Sequence, residues 1–425
     1  MVNEIICPFV VDDFDLTDEE KDKIEIAIVL INAELERKKK EDLKFVGKVY
    51  YPFYLIPIVK NVCLIFDALK LFSEKIRLKD IETILKMDPK TNLGDPNSEA
   101  FFDQIANFSK EIDTIIHSKG ERIQLEGLLN ADLLKEFEAF LKNSKVSEED
   151  LVKVNMIMSE NEVNELNDFF KRLFALKLGQ FLEYELNTTH SINSALINVY
   201  EQCKKIIDDY DTKINLLNDL INSINVNDNI EEIRKLHDDY NKKYYEFDAD
   251  RSDKISKAER KIKFLYKAKD SIHNSYSSLI AYILDIQQEI IDLGITVKDE
   301  LISADRTPVL FYVPIYIIEY QNKKNRFHFV PPIHLEEKKK STQIYEYNKS
   351  LKNMKSILDK NFSKNLFVGL QQSTIKNLLE DFENIKQKFY DGIHLLGGKK
   401  WLESAVYVKV IDYFNAYFSR SSNNG

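Results

Sequence analysis

Residues 196–224 read LINVYEQCKKIIDDYDTKINLLNDLINSI, and their apolar side chains recur at alternating steps of four and three. Leu196, Tyr200, Cys203, Ile207, Tyr210, Ile214, Leu217, Ile221 and Ile224 form one unbroken series. A 3.5-residue period keeps such a series on the face that a supercoiled helix turns toward its partner. The polar run NVNDN (225–229) ends it, and a second series opens with Ile230, Ile233, His237, Tyr240, Tyr244 and Phe247. That series slips phase across DADRSDK (248–254), resumes at Ile255, Ala258, Ile262 and Leu265, and continues to Leu293. The two four-residue steps through Phe247, Arg251 and Ile255 are a stutter, which locally unwinds a supercoil.

Two facing series joined by a polar tip predict an antiparallel coiled-coil hairpin that turns near residue 227. Paired residues would have numbers that sum to about 454, setting Cys203 opposite Arg251. The descending helix is expected over 230–292, and its partner as two helices, 160–186 and 191–224, broken at NTTH (187–190). About 65 residues at 1.5 Å each make an arm on the order of 95 Å long. Glycine and proline agree: the 425 residues include 11 and 9 of them, with none between Gly179 and Gly294. Turns without either residue are uncommon, so that window reads as long helix.

Six of the nine prolines (Pro52, Pro57, Pro308, Pro314, Pro331, Pro332) fall in two aromatic segments that resemble each other. VYYPFYLI (49–56) and FYVPIYII (311–318) share Tyr50, Pro52, Tyr54 and Ile56 with Tyr312, Pro314, Tyr316 and Ile318. Each is followed by a polar tip and a second apolar run, VCLIF (62–66) and RFHFV (326–330). Aromatic and β-branched runs split by a short polar turn signal a hairpin, and an internal proline argues for an edge or bulged strand. Two similar hairpins pairing into one small sheet with rough two-fold pseudosymmetry are therefore expected.

The fold class that follows is mainly α, an α+β chain dominated by helix. A long antiparallel coiled-coil arm is inserted between two similar β-hairpins that form a small sheet, and a C-terminal helical segment follows. The expected divisions are 1–98 (an N-terminal helix and the first hairpin) and 99–298 (helical insertion, the arm over about 160–294). They continue with 299–340 (second hairpin) and 341–425 (C-terminal helices). Capping boxes Thr17-x-x-Glu20, Ser147-x-x-Asp150 and Ser159-x-x-Glu162 precede periodic runs, and Asp95-Pro96 reads as an N-cap with proline at the first helical position. Late helices are expected over about 374–390 and over WLESAVYVKVIDYFNAYF (401–418), the latter apolar on most faces and so buried or docked on a partner.

Bulk properties narrow the function classes. A net charge of −10 argues against a protein that coats nucleic acid generally, although local basic faces survive inside an acidic whole. Cys7, Cys63 and Cys203 are odd in number and far apart, which points to a reducing compartment rather than a disulfide framework. The start MVNEIICPFVVDDFD has acid where a secretory signal carries base. No apolar run approaches the ~20 residues of a spanning helix. A cytoplasmic chain with no membrane partner is expected.

The sequence contains no phosphate-loop, dinucleotide, nucleophile-elbow, HExxH or CxxC motif. His328, His334, Glu336 and Glu337 come nearest to a metal set, but Pro331-Pro332 interrupts the strand that would align them. His237 on the seam fits a register-fixing polar residue, and Asp248, Asp250 and Asp253 lack the glycine and terminal glutamate of a calcium loop. No catalytic residue, cofactor or metal is expected.

Charge is the feature with functional content. Residues 251–269 hold eight bases (Arg251, Lys254, Lys257, Arg260, Lys261, Lys263, Lys267, Lys269) against two acids, whereas 200–250 hold thirteen acids and seven bases. With the expected pairing the basic run faces 185–203, where only Glu185 and Glu201 are acidic, so it should stay unneutralised. A second basic island, Lys323, Lys324 and Arg326 with Phe327, lies at the tip of the second hairpin. Basic faces with aromatics sit on phosphates and stack on bases. The expected function is a non-enzymatic architectural protein that bridges or clamps macromolecules, nucleic acid among the candidate partners. The alternative is a protein-only scaffold or adaptor, self-associating or binding a partner through the arm and the aromatic C-terminal helix.

Overall fold

The computed structural model describes residues 4–77, 84–85, 99–117, 122–146, 151–223, 230–302, 305–322, 325–335, 351–361, 375–399 and 401–421. The expected tip at 225–229, Ser147 to Asp150, Asp95-Pro96 and Thr374 lie outside these residues. Helix dominates, together with a β-sheet. The chain falls into two compact units: Met1–Arg77, Arg122–Ala175 and Gln287–Gly425 form the first, and Leu78–Glu121 with Leu176–Ile286 the second.

In the first unit the short strands β1 (Glu4–Ile6) and β2 (Val10–Asp12) lead to helix α1 (Asp18–Glu36) and the long strand β3 (Asp42–Val59). Strand β3 returns through β4 (Val62–Asp67) to β5 (Ser73–Ile76). Next come β6 (Ile123–Glu126), α3 (Ala131–Lys142, numbered after α2 of the second unit, Glu99–His117), β7 (Lys145–Val146) and α4 (Glu160–Phe174). After the helical unit follow β8 (Ile295–Thr296), β9 (Val309–Gln321), β10 (Arg326–Val330) and β11 (Ile333–Leu335). The main sheet has the order β7-β1-β9-β3-β4-β8, with β10 also on β9.

The two proline-bearing runs pair with each other. Strands β3 and β9 are antiparallel from Asp42↔Gln321 to Leu55↔Val309, with Tyr50 opposite Pro314 and Pro52 opposite Tyr312. The tyrosine of each run thus faces the proline of the other, and the pairing is centred on Tyr51↔Val313. Each strand carries its own return strand on its outer side, β4 on β3 and β10 on β9. Each also takes a short parallel neighbour, 152–154 beside Tyr50 and β1 beside Tyr312. Helices α1 and α4 follow those neighbours, and both begin with a complete capping box, at Thr17 and Ser159.

Of the edge or bulged position that the prolines argued for, the edge is corrected, since β3 and β9 are the interior of the sheet, while the β3–β4 register does shift between Pro57 and Val59. The reason lies in where their missing N–H groups point. The Tyr50 amide and carbonyl bond outward to Val152 and Val154, and Ala68 N–H donates to the Pro52 carbonyl. Backbone groups two residues apart share a side, so the Pro52 nitrogen faces the step between 152–154 and β4. The Pro314 nitrogen likewise faces the step between β1, paired to Tyr312, and β10, paired to Tyr316. Neither proline removes a ladder bond.

Side chains alternate across the sheet and feed two cores. On one face Val49, Tyr51, Phe53 and Leu55 join Phe311, Val313, Ile315 and Ile317 under α3 and α7 (Lys352–Asn361). The Phe53, Phe137 and Phe311 rings lie 5.1–6.3 Å apart, each pair worth about 0.5–1.5 kcal/mol beyond burial. On the other face Tyr316, Ile318 and Tyr320 pack under α1, which is covered by α8 (Phe382–Gly398) and α9 (Ser404–Ser421). Gly392 lets α8 approach α1: a Cβ there would lie 2.1 Å from the Lys23 carbonyl oxygen. The aromatic C-terminal helix therefore docks on its own chain, with Phe389 against Phe414 at 4.8 Å and the Arg37 guanidinium 4.2 Å above Tyr413.

The second unit contains α2 and α5 (Leu178–Asn222), with α6 (Ile230–Asp292) up to Ile286. Helix α5 runs unbroken through NTTH, so the expected break at 187–190 is corrected; the chain leaves helix at 175–177 instead. Hydroxyls of Ser191 and Ser194 bond back to the carbonyls of Asn187 and His190, which keeps these polar residues inside a helix. Side-chain contacts join early residues of one helix to late ones of the other: Asn193 with Lys269, Tyr210 with Phe247, Asp211 with Arg251, Asn218 with Tyr240. These sums lie above the expected 454, and Arg251 meets Asp211 rather than facing Cys203. Helical side chains lean toward the N-terminus, which moves every contact C-terminal on both helices.

Helix α2 joins this unit through Phe108 on Tyr276 at 5.1 Å and a Ser271–Ser109 hydroxyl bond of 3.0 Å. Not all of 99–298 is helical, however. The short strands β6 and β7 fall inside it, pairing with β5 and β1.

Candidate polyanion-binding face

The basic run of α6 divides in two. Arg251 pairs with Asp211 at 3.4 Å, Lys254 with Asp250 at 2.8 Å and Lys257 with Asp253 at 2.6 Å. The expectation that the whole run is unneutralised is thus corrected for its first three cations, since i,i+4 acids on the same helix and the shifted register supply partners. Lys254 also donates to the Tyr210 hydroxyl, and these bonds hold its ammonium above the usual lysine range.

Arg260, Lys261, Lys263 and Lys267 are exposed and make no ion pair among the described residues. Two residues along a helix is 200° around it. Leu265, which is fully buried, is two positions from both Lys263 and Lys267, and buried Ala258 is two positions from Arg260. These three cations consequently share the outward side, at steps of three and four. They span about 10.5 Å of helix. Phe264 and Tyr266 flank the line, 39% and 49% exposed.

The second basic island is built differently. Arg326 is held by Glu41 through bonds of 2.9 and 2.5 Å, donates to the Glu36 carbonyl at 2.8 Å, and lies 4.3 Å above the Tyr320 ring. That clamp holds the Glu41 carboxyl down at about 2. Phe327 packs against the core, and Lys323 and Lys324 lie outside the described residues. Of the four histidine and glutamate positions weighed for a metal, His328 is buried and His334 pairs with Asp13 at 3.0 Å, while Glu336 and Glu337 lie outside the described residues. Among the described residues no three His, Cys, Asp or Glu side chains are placed to hold a metal ion.

Sequence reading missed a paired-charge cluster at the centre of the sheet. Lys48 bonds Glu25 at 2.7 Å and lies 5.7 Å from the Tyr50 and Tyr316 rings, while Lys153 bonds Glu4 at 2.7 Å and lies 5.2 Å from the Tyr312 ring. Nearby carboxylate keeps Lys48 protonated despite burial, and burial pushes the Cys63 thiol up to about 12 and Cys7 higher still. Lys48 thus keeps its charge beside Glu25, and the two buried thiols stay protonated. Elsewhere in this unit a cleft of about 350 Å³ is lined by Leu71, Phe72, Leu128, Leu133, Asn353 and Ser356, apolar and uncharged side chains.

Comparison with known protein families, curated proteins and solved structures finds no match. Among the described residues no helix is long and apolar enough to cross a membrane.

Proposed function

We propose that this chain is a non-enzymatic architectural protein whose helical unit clamps or bridges a polyanion, nucleic acid being the candidate. In this reading α5 and α6 form an antiparallel coiled-coil arm, and the two proline hairpins are copies of one unit related by a two-fold through Tyr51 and Val313. The observation that carries the proposal is the outward line Arg260, Lys263 and Lys267, unpaired and flanked by exposed aromatics. The clamped Arg326 drops out of the contact set, and Lys261 remains at its side.

A salt titration of binding to duplex and single-stranded DNA tests it. Each phosphate neutralised adds about 0.9 (duplex) or 0.7 (single strand) to the log–log slope. Changing Arg260, Lys261, Lys263 and Lys267 together to Glu should abolish binding at ~100 mM salt with helicity unchanged. Unchanged affinity in that variant sinks the proposal. A protein-only scaffold is supported by a different observation, the exposed Leu182, Leu186, Ile197 and Tyr200 on α5. A partner captured equally well by the charge-reversed variant favours that second reading.

A further inference from the structure

We propose that the cleft in the first unit binds a small uncharged molecule carrying an amide group on an apolar body. Its volume of about 350 Å³ is at the lower end of the roughly 300–1,000 Å³ that small-ligand sites occupy, which suits a ligand built on a single ring. The apolar part of the lining is Leu71, Phe72, Leu128, Leu133 and Ile357. Ser73, Asn130, Asn353 and Ser356 complete it, all exposed and polar. Among the described residues no charged side chain lines the cleft, so an ionised ligand would give up hydration with no counter-charge in return.

The polar residues have defined hydrogen-bonding capacity left over. Asn130 caps α3, and its side-chain oxygen accepts the Leu133 amide at 3.0 Å. That bond fixes which end of the side chain is which and leaves the Asn130 NH2 group as a donor. Asn353 is the reverse case: its NH2 group donates to the Glu136 carboxylate at 3.0 Å, leaving its oxygen as an acceptor. The Ser73 hydroxyl accepts from Gln124 at 2.9 Å and keeps its own proton to donate. A donor on one segment and an acceptor on another match a single neutral amide, whose carbonyl accepts and whose N–H donates. The segments that carry them are fixed in advance. Gly127 N–H donates to the Phe72 carbonyl at 2.8 Å and Asp67 N–H to the Gly127 carbonyl at 2.7 Å, with Gly127 in the left-handed region at φ 86°. The Asp67 carboxylate gathers the amides of Leu71 and Phe72. Met354 and Leu358 of α7, both fully buried, anchor the third segment in the core that holds Leu133. A site formed before its ligand arrives loses little binding energy to ordering.

The test is a titration of the full chain with benzamide, benzoate and toluene, read by saturation-transfer NMR on the ligand. Benzamide carries the amide, benzoate has the same shape with a charge and no donor, and toluene has the ring alone. Benzamide should saturate one site and bind at least roughly tenfold tighter than either analogue. Asn130→Asp keeps an acceptor at the cap of α3 and removes the donor, so it should weaken benzamide at least roughly tenfold with the melting temperature unchanged. Ser356→Phe, at an exposed helical position, fills the cleft and should abolish saturable binding while circular dichroism stays the same. No saturation up to about 10 mM benzamide, equal affinity for benzoate, or binding that survives Ser356→Phe overturns the proposal. The basic line of α6 is read by DNA binding and stands or falls separately.

Discussion

His328 is 4% exposed, and its Nε2 has no hydrogen-bond partner among the described residues. Burial, with Lys355 and Arg326 nearby, holds its pKa down at about 3. An unfolded histidine titrates near 6.5, so between those values the unfolded chain binds more protons. The stabilisation is complete above about pH 6.5 and is lost toward pH 3, at up to about 1.4 kcal/mol per unit. Thermal melts should show that slope in the wild type and a flatter profile in His328→Phe. Asp67 poses the opposite case. Burial pushes its carboxyl up to about 6, although the amides of Leu69, Leu71 and Phe72 and the Tyr51 hydroxyl all donate to it. Its ionisation therefore costs stability as pH rises from about 4 to 6. Asp67→Asn should abolish that dependence yet lower stability by about 1–3 kcal/mol in denaturant titration, since an amide turns a donor toward donors. None of this was legible locally: Arg326 reads as a contact residue until Glu41, 285 positions away, is beside it.

At the scale of elements the 3.5-residue series located both long helices, because a seam of nine matched positions is a strong periodic signal. It did not reveal the third helix of that unit, α2, whose pattern is short and whose partners on α6 are distant in sequence. Nor did it distinguish a polar stretch that ends a helix from one that bonds back into it, as Ser191 and Ser194 do. Cysteines at Asn218 and Tyr240, in a background lacking the native three, should join within one chain through a short bismaleimide. Purely intermolecular product would instead mean that the helices pair between copies. In the sheet, Pro52→Val should cost under about 1 kcal/mol, because the added N–H faces a step in the outer pairing rather than a missing bond.

Across the whole molecule, the two units have separate cores and should give two calorimetric transitions. Phe53→Ala should lower one by about 3–5 kcal/mol and Ile283→Ala the other by about 2–5 kcal/mol, each leaving its neighbour in place. A single transition moved by both variants would show that the units melt as one. The sequence pattern could find two like hairpins but not their mutual register, which depends on every short strand that flanks them.

The pairing of β3 with β9 sets a waiting time. During synthesis β3 leaves the ribosome well before β9, 267 positions later at their first residues, and elongation at 5–20 residues per second makes that gap roughly 13–50 s. Throughout it the nascent chain carries VYYPFYLI, an aromatic strand rich in the features that drive cross-β assembly. Pro52 breaks that run for any foreign strand that tries to pair with it, while the native partners of Tyr50 and Pro52 are arranged around its missing N–H. The proline that looked like an obstacle to a sheet thus acts as a gatekeeper for an unfinished one.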